Sequence, residues 1–270
     1  MDLIIQLLTD PGGFVAAHQL LLAQIGVNAL LALSIYAGLA SGVLSLASVG
    51  FMAIGAYVSV LLEAHLQMPF ALAAAIGTLA AGAVALPIGI ASLRLSGIFL
   101  AIATLGFAQV VVAVILNLPI TGEGRGQLNL DADTSLLPAY ISLAVITYVL
   151  WRLGKGRIGQ AWAAVREDSV AAAAHGVNVF AYELLAFITG SLLAGYTGAL
   201  DAHLNFFIDP SQYPFTRVVS ALIFTVVGGT FNVFGPIVGA AVLTTLPEIA
   251  RFAKDYRDAV DGVVLLAVIL

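Results

Sequence analysis

Residues 95–122 read LSGIFLAIATLGFAQVVVAVILNLPITG and contain no charged residue. About 20 apolar residues in a helix cross the hydrocarbon core of a bilayer, so this stretch is long enough for one crossing. Lipid offers the backbone no hydrogen-bonding partner, whereas a helix satisfies its own backbone groups. The stretch therefore predicts a transmembrane helix, which we place at residues 98–118.

The same pattern recurs along the chain, because charged residues are also absent from residues 11–62, 64–93 and 218–247. Charged residues make up 9% of the sequence and apolar ones 61%, whereas soluble domains carry about a quarter charged residues. We therefore predict an all-α polytopic transmembrane helical bundle of about 8–10 spans, which forms a single transmembrane domain over residues 1–270. The predicted spans are residues 20–40, 44–62, 70–93, 98–118, 136–153, 182–203, 217–227, 235–249 and 260 onward.

The apolar run at residues 11–62 is too long for one crossing and must fold back on itself. Glycine weakens helix continuity, so we expect the break near Gly38, Ser41 and Gly42. Further glycines recur inside the predicted spans, and small residues let membrane helices approach one another closely. We interpret these glycines as helix-packing positions.

A basic island at residues 152–178, RLGKGRIGQAWAAVREDSVAAAAHGVN, separates two of the apolar spans. It holds four of the ten basic residues of the chain, and cytoplasmic loops carry such an excess. The island is therefore predicted to be cytoplasmic. This orientation also places Arg94 in the cytoplasm, and it places the acidic loop 123–133 and the acidic N-terminus outside.

The C-terminal part of the chain conflicts with this orientation. Two crossings within residues 217–249 would leave Arg251, Lys254 and Arg257 outside, against the positive-inside bias. One of the two short segments on either side of Gly228 is therefore expected to be re-entrant. The sequence stops within an apolar run that has no polar anchor, so we expect the native chain to continue.

Within the island, residues 160–174 have high helix propensity and predict one short helix. Gly176 suits the left-handed conformation that ends such a helix. A short rigid helix that ends in a tight turn can transmit a mechanical displacement from one end to the other. The island is therefore predicted to be a docking segment rather than a linker.

Motifs for catalysis or cofactor binding are missing from the sequence. The phosphate-binding pattern GxxxxGKS/T does not occur, there is no cysteine, and the four histidines match no metal-ligand spacing, so we expect them at interfaces or in loops. A net charge of −5 does not suggest a nucleic-acid partner. Glu183 and Asp201 lie at the two ends of one predicted span, where interfacial exposure is expected. We therefore predict no catalytic, cofactor-binding or metal-binding residue, and no mid-membrane acid for ion coupling.

Six blocks of the sequence follow one another in a fixed order. Such an ordered set identifies a protein family more specifically than any one block does. The six are GVLSLASVGFMAIGAY at 42–57, RLSGIFLAIATLGF at 94–107, RED at 166–168, VGG at 227–229, GPIVGA at 235–240 and LPE at 246–248. The blocks are distributed between residues 42 and 248, so the resemblance extends over nearly the whole chain. This set resembles the permease subunits of branched-chain amino acid ABC importers.

The resemblance implies that the island is the coupling loop by which such permeases engage a separate cytoplasmic ATPase. The family signature there is Glu-Ala-Ala, three residues and then Gly, and Val170 stands at the Glu position. An apolar residue there weakens a salt-bridge role but not docking itself. The coupling residues that the resemblance implies are Arg166, Glu167, Asp168, Ala171, Ala172 and Gly176.

The chain also departs from the family pattern within its apolar spans. Ala47 and Ser48 stand where relatives often carry Gly-His. Gln109 stands where many relatives carry Glu, which removes a charge from this span. The residues that we expect to line a translocation path are Ser45, Ser48, Thr104 and Gln109.

The function implied by the resemblance is the translocation of leucine, isoleucine and valine through a multi-pass subunit of the bacterial inner membrane. The implied partners are a soluble extracytoplasmic binding protein, cytoplasmic ATP-binding cassette subunits that hydrolyse the ATP, a second related permease subunit and membrane lipid. Three alternatives stay open. They are a related ABC importer for urea, short amides or other amino acids, an ion-coupled secondary transporter, and a structural membrane scaffold.

Overall fold

The structure, a computed structural model, describes residues 18–121, 127–128, 136–205 and 207–249. The described part of the chain is a helical bundle, which confirms the predicted all-α polytopic fold. Its helices in chain order are α1 Gln19–Leu39, α2 Ser48–Leu66, α3 Phe70–Ser92, α4 Ile98–Asn117, α5 Leu137–Lys155, α6 Arg157–Glu167, α7 Ser169–Ala174, α8 Val179–Leu204, α9 Phe215–Gly228 and α10 Phe234–Ile249.

Among the described residues, six helices are long and apolar enough to cross a membrane, namely α1 to α5 and α8. Their positions confirm the spans expected from the charge-free runs. The largest difference is at α2, which begins at Ser48 rather than at residue 44. The span predicted from residue 260 onward and the basic residues predicted to conflict at 251–257 lie outside the described residues.

The chain turns between α1 and α2 where glycine was expected to break the helix. Gly42 has a φ of +85°, a conformation that glycine adopts without strain. The backbone N–H of Val43 and the hydroxyl of Ser41 both donate to the carbonyl of Gly38, at 3.1 and 3.0 Å. The predicted break is therefore confirmed.

Helix α8 lies at the centre of the bundle and packs against α1, α2 and α3. Its glycines permit this close approach. A Cβ atom on Gly198 would lie 1.8 Å from the carbonyl oxygen of Met52, and one on Gly190 would lie 2.5 Å from that of Ser34. These positions have no room for a side chain, so the interpretation of the glycines as helix-packing positions is confirmed.

The bundle has two chemically different ends. The basic end carries α6 and α7, which lie between α5 and α8 in the chain. The far end carries the last turn of α8. Two short strands, Gln127–Leu128 and Phe207–Ile208, pair antiparallel, so the α4–α5 and α8–α9 connections lie together at the far end.

Helices α9 and α10 form a hairpin that packs on α1. With 14 and 16 residues, they measure about 21 and 24 Å, shorter than the hydrocarbon core of about 30 Å. Helix α9 begins where Arg217 pairs with Asp201 at the far end, and it ends beside Thr230, which contacts Arg166 at the basic end. Helix α10 returns from there. The described hairpin therefore favours two passes over the expected re-entrant segment.

The single helix predicted at residues 160–174 is wrong, because α6 and α7 meet at Asp168. Asp168 is extended, with a φ of −156° and a ψ of 105°, and its Oδ1 accepts the backbone N–H groups of Val170 and Ala171 at 2.9 and 3.0 Å. Aspartate caps helices in this way, so it begins a new helix here. Gly176 has a φ of +83° and closes α7 as predicted.

Candidate functional site

Helix α6 lies against the basic end of the bundle through an apolar face. Trp162 and Val165 are buried on this face. The indole Nε1–H of Trp162 donates to the carbonyl of Tyr182, in the first turn of α8, at 2.9 Å. The bundle itself therefore fixes the position of α6.

Arg166 joins α6 to two turns of the bundle. Its Nη1–H donates to the carbonyl of Thr230 at 2.9 Å, and its Nη2–H donates to the Thr230 hydroxyl at 3.1 Å. Its guanidinium lies over the Phe231 ring, 4.4 Å from the ring centroid. A Cβ on Gly42 would lie 3.4 Å from the Arg166 Cα, so the two backbones are in close contact. We call Gly42, Arg166, Thr230 and Phe231 the Arg166 junction.

The other residues that were expected to engage an ATPase divide between two directions. Ala172 is buried against the bundle. Val170, at the position of the family's Glu, is 78% exposed. The remaining members of the set are exposed, namely Glu167, Asp168, Ala171 and Gly176. The basic end therefore presents an outward surface around α7, while Arg166 reaches inward.

The residues expected to line a translocation path do not share one space in this chain. Ser45 and Ser48 line a cavity of about 10 Å³ between α1, α2 and α8, which has room for one water at most. Thr104 is buried, and its hydroxyl accepts the backbone N–H of Leu46 at 3.0 Å, so it fixes the segment before α2. Gln109 is exposed on the surface of α4.

A much larger cavity, of about 500 Å³, opens at the far end between α1, α8 and α9, and we call it the far-end cavity. On its wall, the carboxylate Oδ2 of Asp201 pairs with Nη2 of Arg217 at 3.0 Å. Arg217 also donates to the carbonyl of Gln212 at 3.1 Å. Further polar side chains on the wall are Gln24, Asn28, Asn205, Ser211 and Ser220.

Asp201 was expected at an exposed interface, and this prediction is wrong because the residue is only 8% exposed. Pairing with Arg217 offsets the cost of removing the carboxylate from water. Sequence reasoning missed this partner, although both residues lie at the ends of predicted spans. Charged residues at neighbouring span ends are the signal that could have suggested the pair.

His203 was expected at an interface or in a loop, and this prediction is also wrong. The side chain is buried in the last turn of α8, where its Nε2 lies 2.6 Å from Oε1 of the buried Glu63. Its Nδ1 lies 2.6 Å from the carbonyl oxygen of Ala199. The pair ties α2 to α8. Among the described residues, no third histidine or acid joins the pair, as a metal site would need.

Two tyrosines lie close to the ion pair of the far end. The rings of Tyr57 and Tyr213 have centroids 6.4 Å apart, and the Arg217 guanidinium lies 5.8 Å from the centroid of the Tyr213 ring. Burial raises the pKa of the Tyr213 phenol well above its usual range, so this phenol stays neutral. Neither hydroxyl has a hydrogen-bond partner within the described part of the chain.

Comparison with known proteins places this chain among transport proteins. It is 30% identical to the high-affinity branched-chain amino acid transport system permease protein LivM of Escherichia coli (strain K12), over 86% of this chain and 63% of that protein. The protein of the same name from Salmonella typhimurium is 29% identical with the same coverage. The chain thus spans less than two thirds of the length of these relatives. No solved structure matches it.

A family model also matches residues 19–270, almost the whole chain. Its description is "branched-chain amino acid transport system / permease component". The match confirms the resemblance first seen in the ordered sequence blocks. This multi-pass membrane protein therefore belongs to the family of branched-chain amino acid transport system permease components.

Proposed function

We propose that this chain is the single-domain transmembrane permease subunit of an ATP-driven ABC importer in a bacterial inner membrane. It translocates leucine, isoleucine and valine that an extracytoplasmic binding protein delivers. It pairs with a second related permease subunit, and cytoplasmic ATP-binding cassette subunits hydrolyse the ATP. Membership of the family and the two LivM relatives support this substrate class.

The orientation in this proposal follows from the distribution of basic residues. The basic end carries Arg152, Lys155, Arg157 and Arg166, and such an excess is typical of cytoplasmic loops. The far-end cavity then opens on the side from which a binding protein delivers its ligand. The outward surface around Val170 faces the side on which the ATPase lies.

One observation carries the proposal: the single helix α9 connects the far-end cavity to the basic end. Arg217, in its first turn, pairs with Asp201 on the cavity wall. Thr230, just beyond its last residue, accepts both hydrogen bonds from Arg166. A movement of α6 can therefore reach the cavity through one rigid element about 21 Å long.

This connection supports an alternating-access mechanism. Closure of the ATPase pair pushes α6 and α7, the Arg166 junction carries the push to the α9–α10 turn, and the hairpin rocks against α1. A cavity of about 410 Å³ beside Trp151 and Arg166 leaves room for the junction to move. This motion is confined to the hairpin, because the close glycine contacts keep α8 and α2 together.

Two arginine variants test the proposal. Cells that lack the gene receive the native chain, Arg166→Gln or Arg157→Gln, and uptake of labelled leucine, isoleucine, valine and urea is measured. Arg157 also lies on α6 but is exposed, so its variant is the matched control. We expect uptake of the three amino acids with the native chain and with Arg157→Gln. We expect Arg166→Gln to lose most of this uptake at equal membrane abundance.

ATP hydrolysis by the purified transporter completes this test. Because Arg166 connects α6 to the turn of the α9–α10 hairpin, its variant should hydrolyse ATP without transport. Normal leucine uptake by Arg166→Gln would contradict the connection through α9. Uptake of urea in place of the amino acids would contradict the substrate class.

The outward surface of the basic end is tested at Val170 rather than at Gly176. Any side chain at Gly176 is strained by its φ of +83°, so a variant there would confound docking with folding. Val170 is 78% exposed, so Val170→Arg should leave the bundle intact. We expect this variant to insert normally and to lose ATPase association in co-purification. Unchanged co-purification would remove α7 from the docking surface.

A further inference from the structure

We infer that the far-end cavity is a binding subsite for a neutral α-amino acid, with contacts to both its charged groups and its aliphatic side chain. The inference rests on the proposed function and assigns part of the substrate recognition to this subunit. The ligand class is a zwitterion with an apolar side chain.

The charged groups of the cavity match those of an α-amino acid. Arg217 supplies a guanidinium for the ligand carboxylate, and Asp201 supplies a carboxylate for the ligand ammonium. Charge-assisted hydrogen bonds of these two kinds are the strong ones in proteins. A zwitterion can separate the Asp201–Arg217 pair and leave neither charge without a partner, which a neutral amide cannot do.

Solvent access to the ion pair distinguishes a role in ligand binding from a role in fastening α9 to α8 alone. The side chains of Arg217 and Asp201 are 21% and 11% exposed, and both lie on the wall of the cavity. A pair that only fastened α9 to α8 would not require an adjoining space of about 500 Å³. That volume lies within the range of small-molecule sites, roughly 300–1,000 Å³.

The remaining wall of the cavity accounts for the aliphatic part of the ligand. Apolar side chains from α1, α8 and α9 contribute to it, namely Leu20, Ala23, Val27, Leu204 and Phe224. Apolar groups of this kind favour the burial of a branched aliphatic side chain. The cavity therefore combines paired opposite charges with an apolar wall, which is the chemistry of leucine, isoleucine or valine rather than of urea.

A single thiol tests the subsite, because the chain contains no cysteine. Ser220→Cys places a thiol on the cavity wall, and Ala64→Cys places one at the exposed end of α2 as the matched control. Intact cells are labelled with a membrane-impermeant maleimide in the presence of L-leucine, 4-methylpentanoate, 3-methylbutylamine or urea. The second and third compounds each lack one charge of leucine.

We expect leucine to slow the labelling of Ser220→Cys several-fold, the two singly charged analogues to slow it less, and urea to leave it unchanged. Labelling of Ala64→Cys should not respond to any of them. Adding Arg217→Gln should raise the leucine concentration needed for protection by about tenfold or more, because it removes a charge-assisted hydrogen bond. Arg217→Lys keeps the charge and should retain part of the protection.

The outcomes distinguish this inference from the proposed function. If the native chain takes up leucine but leucine does not protect Ser220→Cys, the subsite is wrong and the proposed function stands. Equal protection by urea would also overturn the ligand class. Leucine protection without any leucine uptake by the native chain would support the subsite and contradict the proposed function. Labelling of Ala64→Cys combined with Arg217→Gln reports whether the Arg217→Gln chain inserts into the membrane. If it does not insert, leucine protection is measured with Arg217→Lys instead.

Discussion

The two arginines at the ends of α9 differ in one kind of partner. Both contact a backbone carbonyl and an aromatic ring, and among the described residues Arg217 also faces the carboxylate of Asp201, whereas Arg166 also faces the hydroxyl of Thr230. Removing one member of a buried ion pair leaves an uncompensated charge, while hydrogen bonds to neutral groups are worth less and exchange more easily. The far end is thus suited to recognising charge, and the basic end is suited to moving.

Gly198→Ala should disturb both ends of the bundle, because both depend on the contact between α2 and α8. The added Cβ would lie 1.8 Å from the Met52 carbonyl oxygen, so the helices must separate. We expect the free energy of unfolding to fall by about 3 kcal/mol, more than for any other substitution below, as measured by thermal denaturation of the purified chain. Gly106→Ala is the control, since a Cβ there meets nothing within 4 Å. Equal stability of both variants would refute the close contact.

A double-mutant cycle on Asp201 and Arg217 sharpens the description of the far end. Arg217→Met alone leaves the Asp201 carboxylate unpaired and should cost about 2 kcal/mol, an estimate reduced for the partial exposure of both side chains. Asp201→Asn in addition should recover part of this loss, because no charge is then left alone. Thermal stability of the four chains gives the coupling. Simple additivity of the two single effects would show that the residues do not act as a pair.

Thr230→Val sharpens the description of the basic end. It removes the hydroxyl that accepts from Arg166 at 3.1 Å but keeps the carbonyl bond at 2.9 Å. The lost hydrogen bond comes from a charged guanidinium and contributes about 1.5 kcal/mol, so its loss should lower leucine uptake roughly tenfold. Thr245→Val, on the same hairpin, removes a hydroxyl that bonds to its own helix and should leave uptake unchanged. Equal uptake by both variants would restrict the junction to the Thr230 carbonyl and Phe231.

The smallest expected effect concerns the cap between α6 and α7. Asp168→Ala removes the acceptor for the N–H groups of Val170 and Ala171, and caps of this kind contribute about 1 kcal/mol. Amide hydrogen exchange should become faster in α7 and stay unchanged in α8. Asp168→Ser keeps a capping oxygen and should preserve the native exchange. Faster exchange in both variants would point to the aspartate charge instead of the cap.

The sequence predicts much of this fold because a lipid environment restricts the choices. Charge-free runs locate both the long helices and the shorter pair, since only a helix satisfies its backbone in hydrocarbon. Glycines mark two turns for a separate reason. Gly42 and Gly176 adopt positive φ angles that other residues avoid, so their positions in otherwise helical segments are informative.

Contacts between helices could not be predicted in the same way. Helix α4 is apolar all round, so nothing in its pattern distinguishes the buried Thr104 from the exposed Gln109. Glu63 and His203 lie 140 positions apart, and only the packing of α2 on α8 brings them together. The break at Asp168 had a local signal, because aspartate is a preferred N-cap residue.

Helix α9 is too short to match the hydrocarbon core of an undisturbed bilayer. The helix measures about 21 Å against about 30 Å of hydrocarbon, and guanidinium groups mark both of its margins. Water and lipid head groups drawn toward these margins would shorten the waterless interval by about a third. A charged solute that moved along α9 would therefore meet a lower desolvation barrier than one that crossed the full thickness of the hydrocarbon.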